Sequence, residues 1–160
     1  MRISLICVGR LKSGAERELF ERYFKRLAES ARSVGIAGVD FREIAGSRAR
    51  RPDDRRSEEA SAILAAIPAG AELIALDEGG SSPTSAVWAA DIERARDSSR
   101  PAYAVVIGGP DGLDASLRER AHRLIGFGAM TWPHQLVRVM ACEQLYRAVS
   151  ILSGHPYHRV

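Results

Sequence analysis

The sequence predicts an α/β protein with a mostly parallel sheet flanked by helices. Short apolar segments rich in Val, Ile and Leu alternate along the chain with longer segments of helical periodicity. This alternation is typical of βαβ units, whose strands lie parallel in one sheet. The chain has 160 residues, a length that fits one domain over residues 1–160 because domains commonly contain about 100–200 residues.

The amino-terminal elements are predicted as a strand, a helix and a strand. Residues 2–8 are β-branched and apolar and are closed by Gly9, which predicts the first strand. From residue 14 to about residue 33, apolar side chains recur every three or four positions and predict a helix with one buried face. Residues 39–44 alternate in part and predict a short second strand.

The next segment changes from polar loop to helix. Residues 45–56 are polar and rich in arginine, which predicts a loop. Asp53 or Asp54 is the expected cap of the helix that follows. This helix is predicted to reach Ile67, where Pro68 ends it.

A third strand and a third helix are predicted next. Residues 72–77 form a short apolar run typical of a buried strand, and residues 78–83 form a flexible glycine-containing loop after it. Ser82 or Thr84 is the expected cap of a helix that runs through Ala95.

The carboxyl-terminal third contains a fourth strand and two more helices. Residues 102–107 predict a buried strand, and Asp114 is the expected cap of a helix that continues to Leu124. Residues 129–132 predict a short strand or a loop. Residues 134–152 have helical periodicity and are apolar nearly all round.

Composition excludes several classes of protein. Hydrophobic residues make up 46% of the chain and charged residues 27%, which is ordinary for a globular protein and argues against disorder. The longest apolar runs fall short of the ~20 residues of a membrane helix, so no membrane partner is expected. Cys7 and Cys142 are the only cysteines; we therefore expect no disulfide framework and a reduced, cytoplasmic protein.

Neither the net charge nor the histidine content by itself predicts a nucleic-acid or metal partner. The formal net charge is only +3. A dense basic stretch suits phosphate binding, although such a stretch is more often a solvated loop. Its arginines are Arg48, Arg50, Arg51, Arg55 and Arg56. We predict no metal site, because Pro156 prevents a regular helical pair between His155 and His158 and no cysteine or carboxylate accompanies them at a known ligand spacing.

Three loops could form one pocket, and the first two of them follow predicted strands. They are residues 78–83, 108–112 and 127–133. Ligands bind at the carboxyl ends of strands in open α/β sheets, and glycine lets the backbone approach a ligand. Each loop can equally be a plain connection between strand and helix, with Pro-Asp-Gly serving only as a turn. The glycine spacings fit neither dinucleotide-binding nor ATP-binding fingerprints.

Four motifs in the carboxyl-terminal third, taken in order, resemble the RlmH family of SPOUT-class ribosomal RNA methyltransferases, and the resemblance extends over essentially the whole chain. The motifs are Ile107-Gly108-Gly109-Pro110-Asp111-Gly112, Thr131-Trp132-Pro133-His134-Gln135-Leu136-Val137-Arg138, Glu143-Gln144-Leu145-Tyr146-Arg147-Ala148 and His155-Pro156-Tyr157-His158-Arg159.

The resemblance implies a fold, a cofactor and a substrate. The implied fold is of SPOUT type with a carboxyl-terminal deep trefoil knot, and the implied assembly is a homodimer with sites near the subunit interface. The implied reaction transfers a methyl group from S-adenosylmethionine to N3 of a pseudouridine in a hairpin loop of 23S ribosomal RNA, on the assembled ribosome. The positions that match the family's cofactor site are Leu76, Gly108, Phe127, Gly128, Ala129, Met130, Thr131 and Trp132.

The carboxyl-terminal residues supply candidate catalytic groups under this resemblance. We hypothesise that His158 removes the N3 proton, because imidazole titrates near physiological pH. Tyr157 is the candidate for stacking on the base, and Arg159 or Arg138 could stabilise the developing anion. Three alternatives stay open: ribose methylation of transfer RNA, a non-catalytic RNA-binding factor, and a plain nucleotide-binding module.

Overall fold

A computed structural model describes residues 1–159, in which five strands alternate with five helices. The strands are β1 (Arg2–Val8), β2 (Val39–Ile44), β3 (Glu72–Ser81), β4 (Ala102–Ile107) and β5 (Arg123–Ile125). The helices are α1 (Ala15–Ser30), α2 (Pro52–Ala66), α3 (Ser85–Asp97), α4 (Ala115–Arg120) and α5 (His134–Leu152). The strands form one sheet in the order β2-β1-β4-β3-β5. All paired strands are parallel, which confirms the predicted fold class.

The sheet lies between two layers of helices. Alternate residues of β1 enter different core clusters: Leu5 packs with residues of α1, α3 and α5, whereas Ile6 packs with residues of α2 and α4. This alternation follows from the two-residue period of a strand. Both faces of β1 are therefore covered, as expected of a parallel sheet.

Two predicted helix caps are confirmed and one is wrong. Thr84 Oγ1 accepts a hydrogen bond from the Val87 amide at 3.2 Å, and Asp114 caps α4. In α2, however, the capping position is Arg51, so Asp53 and Asp54 lie in the first turn. Pro52 explains the earlier start, because its fixed φ suits the first helical position. The predicted loop over residues 45–56 is accordingly shorter and ends at residue 51.

The region around β5 differs most from the sequence prediction. The segment that includes Leu124 is the strand β5 rather than the end of α4, and β3 continues through the glycines that were predicted to be a flexible loop. Gly80 explains the pairing: a Cβ atom there would lie 2.6 Å from the backbone of Ile125. Only glycine allows the strands to approach this closely. Residues 129–132 form a loop.

Residues 1–159 contain no helix that is both long and apolar enough to cross a membrane. The carboxyl-terminal trefoil knot implied by the resemblance stays a prediction.

Candidate active site

A cavity of about 930 Å³ lies at the carboxyl edge of the sheet. The ends of β3 and β4 form its floor, with Leu76 and Ile107 contributing apolar side chains. The loop over residues 108–114, the loop over residues 126–133 and the first turn of α5 form its walls. Its volume falls within the ~300–1,000 Å³ of typical small-molecule sites. We call it the strand-end cavity.

Seven of the eight predicted cofactor positions line the strand-end cavity. They are Leu76, Gly108, Phe127, Gly128, Met130, Thr131 and Trp132. Ala129 is the exception and does not line it. The loop around these residues is held by two hydrogen bonds: Trp132 Nε1 donates to the Phe127 carbonyl at 3.2 Å, and the Gly128 amide donates to Ser82 Oγ at 3.1 Å. Sequence motifs far apart in the chain therefore meet in one concave site.

Gly108 is required where β4 leaves the sheet. A Cβ atom at this position would lie 2.9 Å from the Gly112 carbonyl oxygen and 2.9 Å from Leu113 Cδ2. The turn that follows is closed by a hydrogen bond from the Gly112 amide to the Gly109 carbonyl at 3.0 Å. The Pro-Asp-Gly segment is thus both a turn and a wall of the cavity.

Ion pairs surround the mouth of the strand-end cavity. Asp111 accepts two hydrogen bonds from Arg55, at 2.6 and 3.0 Å. The Arg55 guanidinium, hydrogen-bonded to Asp111, holds the pKa of that carboxyl below its ordinary value. Asp77 pairs with Arg118 at 3.2 Å. The two ion pairs place negative as well as positive charge at the mouth.

His134 lies in the strand-end cavity, although the sequence analysis assigns it no catalytic or cofactor-binding role. It belongs to the first turn of α5 and lines the wall beside Val137. Burial lowers the pKa of its imidazole, and the positive charge of Arg138 lowers it further. Its position directly after the loop over residues 126–133 is the signal that could have placed it in the site.

A family model described as a predicted SPOUT methyltransferase matches residues 1–158. The chain belongs to the SPOUT methyltransferase family. This membership confirms the predicted methyltransferase class and the S-adenosylmethionine cofactor that goes with it.

Full-length relatives indicate which group of SPOUT methyltransferases the chain resembles. Proteins named ribosomal RNA large subunit methyltransferase H are 54% identical in Rhodopseudomonas palustris strain HaA2 and 52% identical in Xanthobacter autotrophicus, each match covering 99% of both chains. These relatives confirm the resemblance to the RlmH family. The crystal structure of a probable methyltransferase from Bordetella pertussis Tohama I superposes with a TM-score of 0.50 at 15% identity, over 92% of this chain and 96% of that one, and supports the fold.

The strand-end cavity fits the cofactor of a SPOUT methyltransferase. Leu76, Ile107 and Leu113 give it an apolar lining suited to an adenine ring. The carboxylates of Asp77 and Asp111 at its mouth suit a cationic sulfonium or ammonium group. Shape and charge are therefore both compatible with an S-adenosyl ligand.

Arg138, a predicted catalytic residue, is buried and holds α5 against the sheet of this SPOUT fold. Its guanidinium donates to Glu43 Oε1 at 2.9 Å and to the carbonyls of Val8 and Gly9, both at 3.1 Å. Only 1% of its side chain is exposed, and it does not line the strand-end cavity. Its contacts join α5 to the carboxyl ends of β1 and β2.

Tyr157 anchors the carboxyl-terminal tail, which we define as residues 153–159. Its hydroxyl donates to Glu143 Oε1 at 2.9 Å, and its ring packs on Tyr146 at 4.6 Å between centroids. The Arg147 guanidinium lies 4.7 Å from the centroid of the same ring. Burial raises the pKa of the Tyr157 hydroxyl, which therefore stays protonated. The tail thus packs on α5.

His158 and Arg159 follow this anchor. His158 is half-buried, and its Nδ1 has no hydrogen-bond partner among the described residues, whereas Arg159 is exposed. No tail residue of the described chain lines the strand-end cavity. Within one chain, the structure therefore keeps the predicted catalytic tail apart from the predicted cofactor positions.

Both cysteines lie in the core, as their positions in the sequence predict. Burial raises the pKa of Cys7 and of Cys142 to about 12, so both thiols are protonated and unreactive at neutral pH. Residues 1–159 hold no group of three or more histidine, cysteine, aspartate or glutamate side chains placed to bind a metal ion.

Proposed function

We propose that this single-domain protein is a cytoplasmic enzyme that methylates N3 of a pseudouridine in a hairpin loop of 23S ribosomal RNA, on the assembled ribosome. The observation that carries the proposal is the strand-end cavity, because one site gathers seven residues that match the family's cofactor positions. The full-length similarity to large-subunit methyltransferases supports ribosomal RNA as the acceptor.

S-adenosylmethionine supplies an electrophilic methyl group when it is bound. Leu76 and Ile107 would hold its apolar part, and Gly108 would let the backbone at the end of β4 approach it. Met130 and Trp132 are 72% and 39% exposed at the cavity mouth, where they can exclude water once the cavity is filled.

The protein must also remove the N3 proton from the acceptor base. We assign this step to His158, whose Nε2 accepts the proton because Nδ1 is buried. The exposed guanidinium of Arg159 stabilises the negative charge that develops on the base. Tyr157 orients both groups through its contacts with α5, and Arg138 positions α5 itself.

A homodimer can bring tail and cavity together. Because the tail of one chain does not line its own cavity, the tail of a second copy would complete the site. A stripe on α5 is exposed or half-buried and has the three-to-four-residue spacing of one helix face. Its members are Leu136, Met140, Gln144, Arg147 and Ile151. We assign this stripe to the contact between the two copies.

Methyl transfer to unmodified substrates tests the activity. Purified protein is incubated with tritiated S-adenosylmethionine and with assembled ribosomes, free large subunits or naked ribosomal RNA that lack the modification. Label mapped by mass spectrometry to N3 of a 23S pseudouridine is the expected result, strongest on assembled ribosomes. Cofactor binding without label in any of the three would point to a different acceptor and reject the proposal.

Mixing two inactive variants tests the shared site. His158→Ala removes the proposed base, and Thr131→Trp fills the strand-end cavity. In a mixed dimer, the intact cavity of one copy meets the intact tail of the other, so co-refolding should restore about a quarter of wild-type activity. Each variant refolded alone is the control. No recovery on mixing would show that cavity and tail act within one chain.

A further inference from the structure

The arginine segment, which we define as residues 45–51, is tied to the strand-end cavity by the side chain of Arg55. Arg55 Nε and Nη2 donate to the carboxylate of Asp111, at 2.6 and 3.0 Å. Arg55 Nη1 donates to the carbonyls of Ala49 and Arg50, each at 3.0 Å. One guanidinium on α2 therefore holds the arginine segment and the loop after β4 at the same time.

The geometry of this contact makes it a rigid connection. Arg55 and Asp111 form two parallel N–H···O bonds, an arrangement that fixes orientation as well as distance. Their side chains are only 26% and 25% exposed. A lysine cannot reproduce this connection, because it lacks the planar fork that serves a carboxylate and two carbonyls together.

The arginine segment presents positive charge to solvent. Arg48, Arg50 and Arg51 are exposed, and none of the three forms an ion pair within residues 1–159. A second contact holds the base of the segment, where the Ser47 amide donates to Glu59 at 2.9 Å. Guanidinium groups that lack carboxylate partners and lie on an ordered backbone suit the phosphates of RNA.

We propose that the arginine segment binds the phosphate backbone of the substrate RNA and that Arg55 is a positioning residue coupling this contact to the cofactor loop. The inference rests on the proposed function. Cofactor binding against the loop over residues 108–114 further restrains Asp111, and through Arg55 it further restrains the arginine segment. RNA binding to the segment favours the cofactor-binding loop in return, because coupling between two sites is reciprocal.

Equilibrium binding with and without cofactor tests the coupling. The probes are assembled ribosomes that lack the modification and S-adenosylhomocysteine, which lacks the transferable methyl group, so no turnover occurs. For the wild type, saturating S-adenosylhomocysteine should tighten RNA binding about fivefold or more. Arg55→Gln and Asp111→Asn should reduce this ratio to near one, and Arg55→Lys should give an intermediate ratio. Wild-type ratios in Arg55→Gln and Asp111→Asn would overturn the proposal.

Two further arginine variants distinguish the positioning role of Arg55 from direct contact with RNA. Arg51→Gln should weaken RNA binding equally with and without S-adenosylhomocysteine and reduce the salt slope by about 1, as loss of one phosphate contact does. Arg32→Gln, on the exposed turn after α1, should change neither quantity. An unchanged salt slope for Arg51→Gln would reject the RNA contact.

Folding and the basic activity are checked independently. Circular dichroism and thermal unfolding establish whether each variant folds. If Arg55→Gln does not fold, the two single variants Arg55→Lys and Asp111→Asn test the coupling. If the wild type labels no ribosomal RNA, the proposed function fails. If the wild type labels it normally and the variants keep their coupling, only the positioning role of Arg55 fails.

Discussion

The two edges of the sheet carry the same kinds of charged residue in different surroundings. At the amino edge, the side chains of Glu72 and Asp91 are each 3% exposed, and each meets two arginines. At the carboxyl edge, Asp77 and Asp111 are 15% and 25% exposed, and each pairs with one arginine beside the strand-end cavity. Burial and the number of partners therefore distinguish a stabilising network from a site that can receive a ligand.

The two tryptophans of the chain show the same contrast. Trp88 is 3% exposed, and its Nε1 donates to the Tyr103 hydroxyl at 3.0 Å. That hydroxyl donates to Asp91 at 2.8 Å, so Trp88 belongs to the buried network. Trp132 is 39% exposed and donates only to the Phe127 carbonyl at the cavity mouth. A tryptophan with satisfied, buried contacts stabilises the core, whereas the exposed one is available to a ligand.

The largest expected effect comes from breaking the amino-edge network. Asp91→Ala leaves Arg94, Arg123 and the Tyr103 hydroxyl without their shared acceptor. We expect the free energy of unfolding to fall by about 3 kcal/mol, near the low end for a broken buried pair because both arginines are partly exposed. Urea unfolding measures the change.

The matched control is Asp97→Ala on the same helix. Asp97 is 62% exposed and pairs with Arg96 at 2.8 Å. Its removal should change stability by about 1 kcal/mol or less, as expected of a surface pair. Equal losses in Asp91→Ala and Asp97→Ala would show that burial does not distinguish the two acids.

The next largest effect concerns rate rather than stability. His158→Ala should lower the single-turnover rate of methyl transfer about 100-fold or more through loss of the proposed general base. The unfolding midpoint should remain close to that of the wild type, because the tail lies outside the core clusters except for Tyr157. His155→Ala, an exposed histidine of the same tail, is the control and should keep full activity. A wild-type rate in His158→Ala would remove this residue from the mechanism.

The sequence predicts four of the five strands and seven of the residues that line the strand-end cavity, because those signals lie in short segments. Runs of apolar residues predict β1 to β4, and motif resemblance identifies Gly108 and the loop that ends at Trp132. The sequence does not predict β5, because its three residues are stabilised by pairing with β3. This pairing requires the absence of a Cβ atom at Gly80. The Arg55–Asp111 contact joins residues 56 positions apart, and nothing in either local segment indicates its partner.

A smaller effect is expected from Trp132→Ala at the carboxyl edge. Loss of its ring should weaken S-adenosylhomocysteine binding about tenfold, a typical consequence of removing an aromatic contact worth ~1.5 kcal/mol. Stability should change little, because the side chain is 39% exposed. Isothermal titration calorimetry and thermal unfolding measure the two quantities. Trp132→Phe should recover part of the affinity, and a variant that loses stability but not affinity would assign Trp132 to the core.

The smallest effect is a pH dependence that arises at the carboxyl edge. Because burial lowers the pKa of His134 in the folded protein, the unfolded chain binds the proton more readily as pH falls through the ordinary value of about 6.5. The free energy of unfolding must therefore decrease in this range, since the unfolded state then holds more protons than the folded state.

His134→Gln removes this titration. Between about pH 7.5 and pH 5.5, a range that spans histidine titration, the variant should lose less stability than the wild type in urea unfolding. The other histidines are present in both proteins and cancel in the comparison. If the two proteins lose the same stability, the His134 imidazole is solvated as well in the cavity as in the unfolded chain. The carboxyl edge of the sheet would then not desolvate this side chain.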